Sequence, residues 1–209
     1  MSADPGKTRP FTGAPVSLHV TVLGTGTMGQ GIAQVCAQSG HTTRLFDAVE
    51  GRALGAVKGI GAQLEKLLGK GKITGDQRHQ AMNRLSAATD AKDACSGADI
   101  VIEAVPEDMT LKLDVVKPLL DVLGPHALIG TNTSSLSITE LGARLGVPER
   151  TVGLHFFNPP PVMELVEVVR GLSTSDATIA RAVDFAKGLG VGEVLLQPGD
   201  HISVVANDV

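Results

Sequence analysis

Apolar residues in this chain come in short β-branched bursts, separated by longer stretches with helical spacing. Residues 17–23 (SLHVTVL) form the first burst and predict a buried strand. GTGTMG follows, and residues 28–39 then place Met28, Ile32, Val35 and Cys36 on one helical face, with Gly40 ending the helix. Residues 42–47 (TTRLFD) predict a second strand that closes on Asp47, which completes a βαβ unit. Over 48–84 the spacing is helical and mostly polar outside one apolar stripe, and Gly69, Gly71 and Gly75 interrupt it. Two helices joined near 70–75 are expected there, as an insertion projecting from the sheet.

Further strands are expected at 99–105 (DIVIEAV), 127–131, 151–156, 163–169 and 191–196. Helices are expected at 108–123, with a kink or restart at Pro118, at 137–145 and at 175–190. Such alternation implies an α/β fold: a doubly wound, mostly parallel sheet covered by helices on both faces. There is no internal repeat and no low-complexity segment.

The loop Gly24-x-Gly26-x-x-Gly29 falls between a strand and a helix, where a dinucleotide fold needs it. The first glycine allows the tight turn, the second lets a pyrophosphate approach the backbone, and the third lets helix and strand pack closely. Thr27 and Met28 complete this cofactor-binding loop, where the helix N-terminus offers N–H groups and a partial positive charge to phosphates. Asp47 lies 23 residues after Gly24, placed to accept hydrogen bonds from the adenosine ribose. A carboxylate there repels a 2′-phosphate, so the expected cofactor is NAD in a Rossmann-like fold.

Composition narrows the alternatives. The chain has 209 residues, 43% hydrophobic and 19% charged, which suits a soluble globular protein. Five Phe and no Tyr or Trp leave an aliphatic core and no stacking platform for nucleic acid. A net charge of −4 without a basic stripe argues against nucleic-acid or anionic-membrane partners. Cys36 and Cys95 fit no metal or disulfide framework and are expected as reduced, buried small hydrophobes in an intracellular, most simply cytoplasmic, protein. His19, His41, His79, His126 and His201 form no ligand spacing, and no metal is expected. Residues 1–16, rich in Pro and Gly, are expected to be a disordered leader.

With its second half included, the chain resembles the short-chain L-3-hydroxyacyl-CoA dehydrogenases, close to the bacterial 3-hydroxybutyryl-CoA dehydrogenases. The resemblance runs from about residue 17 to about 196. Its motifs are GTGTMGQGIAQ, Asp47, EAVPED at 103–108, NTSSLSIT at 132–139 and HFFNPPPVMELVEVV at 155–169. The resemblance implies interconversion of L-3-hydroxyacyl-CoA and 3-oxoacyl-CoA with NAD, on short acyl chains in fatty-acid metabolism. It implies a catalytic pair, His155 and Glu167. Ser134 would hydrogen-bond the substrate's 3-oxygen near the nicotinamide, and Asn158 would touch cofactor and substrate. Glu107 and Lys112 would contact the nicotinamide ribose. Lys66, Lys70 and Lys72, on the insertion, are candidates for the phosphates of coenzyme A. The chemistry agrees: a histidine titrating near neutrality can accept the hydroxyl proton, and a carboxylate on its other nitrogen would orient it. Ser135 and Ser137 suit the cap of the following helix better than Ser134 does.

The resemblance also implies an all-helical domain that forms the homodimer and covers the substrate. In this chain residues 198–209 diverge from the family pattern, and that domain is expected to be absent. A truncated NAD-binding fragment without turnover is therefore one alternative. A related hydroxy-acid dehydrogenase, acting for instance on a sugar acid, is another.

Overall fold

The computed structural model describes residues 17–163, 165–190 and the backbone of 193–198. The leader expected at 1–16 and the tail past Pro198 lie outside the described residues. Strands and helices run β1 (His19–Leu23), α1 (Thr27–Gln38), β2 (Thr42–Phe46), α2 (Arg52–Gly69), α3 (Gly75–Asn83), β3 (Leu85–Ala87), α4 (Ala91–Cys95) and β4 (Ile100–Glu103). They continue α5 (Met109–Val116), β5 (Leu128–Thr131), α6 (Ile138–Leu145), β6 (Thr151–Phe156), α7 (Pro160–Met163), β7 (Leu165–Arg170), α8 (Asp176–Gly188) and β8 (Glu193–Pro198).

The described strands form one sheet in the order β3-β2-β1-β4-β5-β6-β7-β8. All neighbours pair in parallel except β6 and β7, which are antiparallel. The doubly wound, mostly parallel sheet expected from the alternation is therefore present. The exception comes from the short connection: one turn of helix, α7, joins β6 to β7, too little chain for a parallel crossover.

Strand periodicity divides the core between the two faces. On β4, Ile100 and Ile102 pack with Val20, Val22 and Leu128 under α1, α2 and α8. Val101 points the other way, with Leu23, Ile129 and residues of α5 and α6. Helix ends follow local chemistry. Thr74 and Gln77 make a capping box at α3, and Asp90, Asp108, Ser137 and Ser175 cap α4, α5, α6 and α8. Pro118 acts as expected: α5 ends and a 3-10 turn, Lys117–Leu119, takes over.

The segment over 48–84 is two helices, α2 and α3, but it does not simply project. Ala53, Ala56, Ile60 and Leu64 make a buried stripe along α2, and both helices lie against α1. Ile60 and Leu64, fully buried, each contribute about 1.5–3 kcal/mol, enough to hold α2 down on the sheet. The elements β3, α4 and α7 have three, five and four residues, too short for periodicity to reveal. Cys36 and Cys95 are buried and unpaired, and burial pushes both thiols up to about 12. No helix among the described residues is long and apolar enough to cross a membrane.

Candidate active site

The chain moves outward from β1 through β2 to β3, then crosses to β4 on the other side of β1. A crevice opens at such a switch point, beyond the carboxyl ends of the strands. Here it is a cleft of about 520 Å³ lined by Gly24, Gly26, Thr27, Met28, Asp47 and Arg52 on one side and Val105 on the other.

Each glycine of the loop does what its position requires. Gly24 has φ +91°, and a Cβ there would lie 2.8 Å from the Ala104 carbonyl oxygen. A Cβ on Gly29 would lie 1.9 Å from the carbonyl oxygen of Gly24. Gly26 has nothing within 4 Å of a would-be Cβ, so this face of the backbone is open to a ligand. Gly26 also opens α1 without a side-chain cap, so no side chain competes for the first-turn N–H groups. An open glycine, an uncapped helix start and a carboxylate lining the same cleft fit a dinucleotide.

Asp47 follows the end of β2. Its Oδ2 accepts from the Thr25 N–H at 3.0 Å and the Thr25 hydroxyl at 2.7 Å, and its Oδ1 accepts from the Val49 N–H at 3.0 Å. Partial burial raises this carboxyl, but the Val49 and Thr25 donors and the Arg52 charge outweigh it and hold it below the usual carboxylate range.

Next to Pro106 of the cleft lining, Glu107 organises the loop after β5. Its Oε1 accepts from the Thr133 hydroxyl at 2.5 Å, the Ser134 N–H at 2.8 Å, and the N–H and hydroxyl of Ser135, both at 3.0 Å. Burial works to raise this carboxyl, but these donors and Lys112 prevail and bring it down to about 2. Ser134 is exposed at the loop surface. Ser137 caps α6, whereas the Ser135 hydroxyl is turned to Glu107 instead.

Lys112 is buried in an ion-pair network. It is 1% exposed, and its ammonium lies 2.9 Å from each oxygen of Glu103 and 3.2 Å from Glu107. Its contact with Glu107 links it to the loop after β5. Glu103 is itself buried. It also accepts from the Thr131 hydroxyl and the Val105 N–H, both at 2.6 Å. Burial pushes its carboxyl up, against the pull of Lys112.

The antiparallel pairing of β6 and β7 sets His155 directly opposite Glu167. His155 Nδ1 lies 2.8 Å from Glu167 Oε2, with Glu167 2% exposed. With the carboxylate as acceptor, Nδ1 would be the donor and Nε2 would be left for another partner. The Phe157 ring packs on the imidazole, centroids 4.6 Å apart. Asn132 Oδ1 accepts from the Phe156 N–H at 2.9 Å, which ties the Ser134 loop to the strand carrying His155. Asn158 is exposed, at a cis bond to Pro159, and Pro160 packs against Gly31 of α1. Lys66, Lys70 and Lys72 are exposed at the far end of α2 and in the turn after it.

Thr25, Glu103, Asn132 and Thr133 escaped the sequence reading. A carboxylate closing the apolar strand 100–103 is a signal in Glu103, but its lysine partner sits nine residues on in a helix whose docking the sequence does not state.

Residues 19–198 match the family described as 3-hydroxyacyl-CoA dehydrogenase, NAD binding domain. The chain is 39% identical over 191 residues to a probable 3-hydroxybutyryl-CoA dehydrogenase of Bacillus subtilis, covering 91% of this chain and 66% of that one. It is 42% identical over 171 residues to the 3-hydroxyadipyl-CoA dehydrogenase of Escherichia coli, covering 82% of this chain and 36% of that one. The crystal structure of (S)-3-hydroxybutyryl-CoA dehydrogenase from Ralstonia eutropha superposes with a TM-score of 0.81 at 38% identity, covering 88% of this chain and 64% of that one. The chain thus spans about a third to two thirds of the length of these relatives. The glycine loop, the acid after β2 and the matched sequence agree: the chain belongs to the 3-hydroxyacyl-CoA dehydrogenase family, and residues 19–198 are its NAD-binding domain.

Proposed function

We propose that this protein is an NAD-dependent oxidoreductase interconverting L-3-hydroxyacyl-CoA and 3-oxoacyl-CoA, with short chains such as 3-hydroxybutyryl-CoA, in intracellular fatty-acid metabolism. The observation that carries this reading is the buried His155–Glu167 pair at 2.8 Å, on a domain whose other end offers a dinucleotide cleft. The names of the similar proteins, 3-hydroxybutyryl-CoA and 3-hydroxyadipyl-CoA dehydrogenases, support an acyl-CoA substrate over a sugar acid.

When bound, the dinucleotide supplies hydride-transfer chemistry at its nicotinamide ring. The rest falls to the protein. His155 Nε2 takes the proton of the 3-hydroxyl in one direction and returns it in the other. Glu167 holds the ring by Nδ1 and stabilises the imidazolium, as the acid of a catalytic triad does. Ser134 donates to the 3-oxygen, its loop held by Glu107. Gly24, Gly26, Thr27, Met28 and Gly29 receive the pyrophosphate, Asp47 the adenosine ribose, and Glu107 and Asn158 the nicotinamide side. Lys66, Lys70 and Lys72 attract the phosphates of coenzyme A.

The test is oxidation of NADH by acetoacetyl-CoA, followed by absorbance. Turnover is expected, and His155→Ala should lower it by about 10² to 10⁴-fold with NADH binding retained. Tight NADH binding without turnover in the unaltered chain would replace this reading with that of a non-catalytic NAD-binding domain.

A further inference from the structure

The Asp47 carboxylate is the group from which selectivity for NAD follows, and one neighbour fixes its orientation. A carboxylate has about four lone-pair sites. Thr25 fills both on Oδ2, with its N–H and its hydroxyl, and Val49 takes one on Oδ1. One site remains, on Oδ1. Thr25 is only 5% exposed, and its backbone is held in turn by Gln30, whose side-chain amide donates to the Thr25 carbonyl at 3.0 Å. The hydroxyl must donate here, because an ionised carboxylate only accepts. The contact is therefore directional.

The same cleft carries an opposing group. Arg52 opens α2 and lines the cleft beside Asp47. A guanidinium there would attract a 2′-phosphate, whereas the carboxylate repels one. Both determinants of dinucleotide choice thus sit side by side, and the balance depends on whether the carboxylate can swing away.

We propose that Thr25 sets dinucleotide choice: its hydroxyl locks the Asp47 carboxylate, leaving Oδ1 for one ribose hydroxyl and denying room to a 2′-phosphate that Arg52 would otherwise take. The proposal rests on the NAD-binding reading above. Thr25 acts through Asp47 and is a positioning residue. Without the hydroxyl, Oδ2 keeps only the Thr25 N–H and Oδ1 only the Val49 N–H, and the carboxylate is held less firmly. NADH then loses a preset acceptor, and NADPH loses its main repulsion.

The chain has no Trp or Tyr, so nicotinamide fluorescence reads binding without interference from those residues. Affinities for NADH and NADPH should be measured for the unaltered protein, Thr25→Val, Thr25→Ser and Arg52→Ala, with melting temperatures alongside. The unaltered protein should prefer NADH. Thr25→Val, which keeps the shape and loses the hydroxyl, should cut the NADH-to-NADPH affinity ratio about tenfold, the size of one hydrogen bond to a charged acceptor. Thr25→Ser should keep the ratio, and Arg52→Ala should raise it. A lower melting temperature with an unchanged ratio in Thr25→Val would overturn the proposal and make Thr25 merely structural. Equal loss of the ratio in Thr25→Ser would do the same. Should Thr25→Val not fold, an unchanged ratio in the surface variant Arg52→Ala overturns the contest on which the proposal depends. No NADH binding by the unaltered chain would instead remove the NAD-binding reading itself.

Discussion

The two ends of the sheet solve different problems. At the β1–β2–β4 end, the cleft is made by backbone: Gly24, Gly26 and Gly29 clear space, α1 starts uncapped, and one half-exposed carboxylate faces the opening. At the β6–β7 end, the key feature is a pair of side chains, His155 and Glu167, buried and 2.8 Å apart. The first end is an open cleft with room for a large ligand. The second is buried, so a charge formed there would be screened little. Under the proposed function, binding falls to open backbone and proton chemistry to enclosed side chains. Asn132 and Glu107 tie the loop between them, through Phe156 on one side and Ser134 on the other.

The division is sharpened most by Glu167→Gln. An amide keeps the size but not the charge, so the imidazolium loses its partner and the tautomer is no longer imposed. Turnover of acetoacetyl-CoA should fall on the order of a thousandfold or more, with NADH affinity unchanged. A parallel loss of NADH affinity would break the separation of the two ends.

Gly29→Ala tests the other end. Its Cβ would sit 1.9 Å from the Gly24 carbonyl oxygen, a backbone atom that can yield only by opening the loop. NADH affinity should drop roughly a hundredfold, the effect of a few kcal/mol of overpacking, and isothermal calorimetry would measure it. Near-normal affinity would mean that the loop is softer than its contacts imply.

The smallest effect concerns the connector. Glu107 titrates at about 2 in the fold, below the 4.5 of a free glutamate. Its hydrogen bonds therefore contribute stability that is fully present above about pH 4.5 and is lost as pH falls toward 2. Denaturant melts between those limits should show a steeper acid loss in the unaltered protein than in Glu107→Gln. Identical slopes would remove Glu107 from the loop's support.

Much of the binding end is legible in the residues themselves. The glycine spacing, the strand before it and the acid after β2 lie within thirty contiguous residues, and each acts through local backbone geometry. The histidine and glutamate are named by the resemblance of their motif, but their contact depends on β7 running against β6. Helical period located α2, yet whether its stripe faced the sheet or solvent was a matter of packing, and packing buried it. Lys112 shows the limit most clearly. A lysine near a helix start reads as exposed, and only the docking of α5 over β4 brings its ammonium onto Glu103.

By itself, then, the sequence determined the alternation of strands and helices, the nucleotide loop and the acid that faces it, because these follow from periodicity and from backbone freedom within a few residues. Tertiary structure alone decided the antiparallel turn that joins His155 to Glu167, the burial of the Glu103–Lys112 pair and the seating of α2. Each of those depends on residues distant in the chain meeting across the sheet, and which of them meet is set by packing a common core.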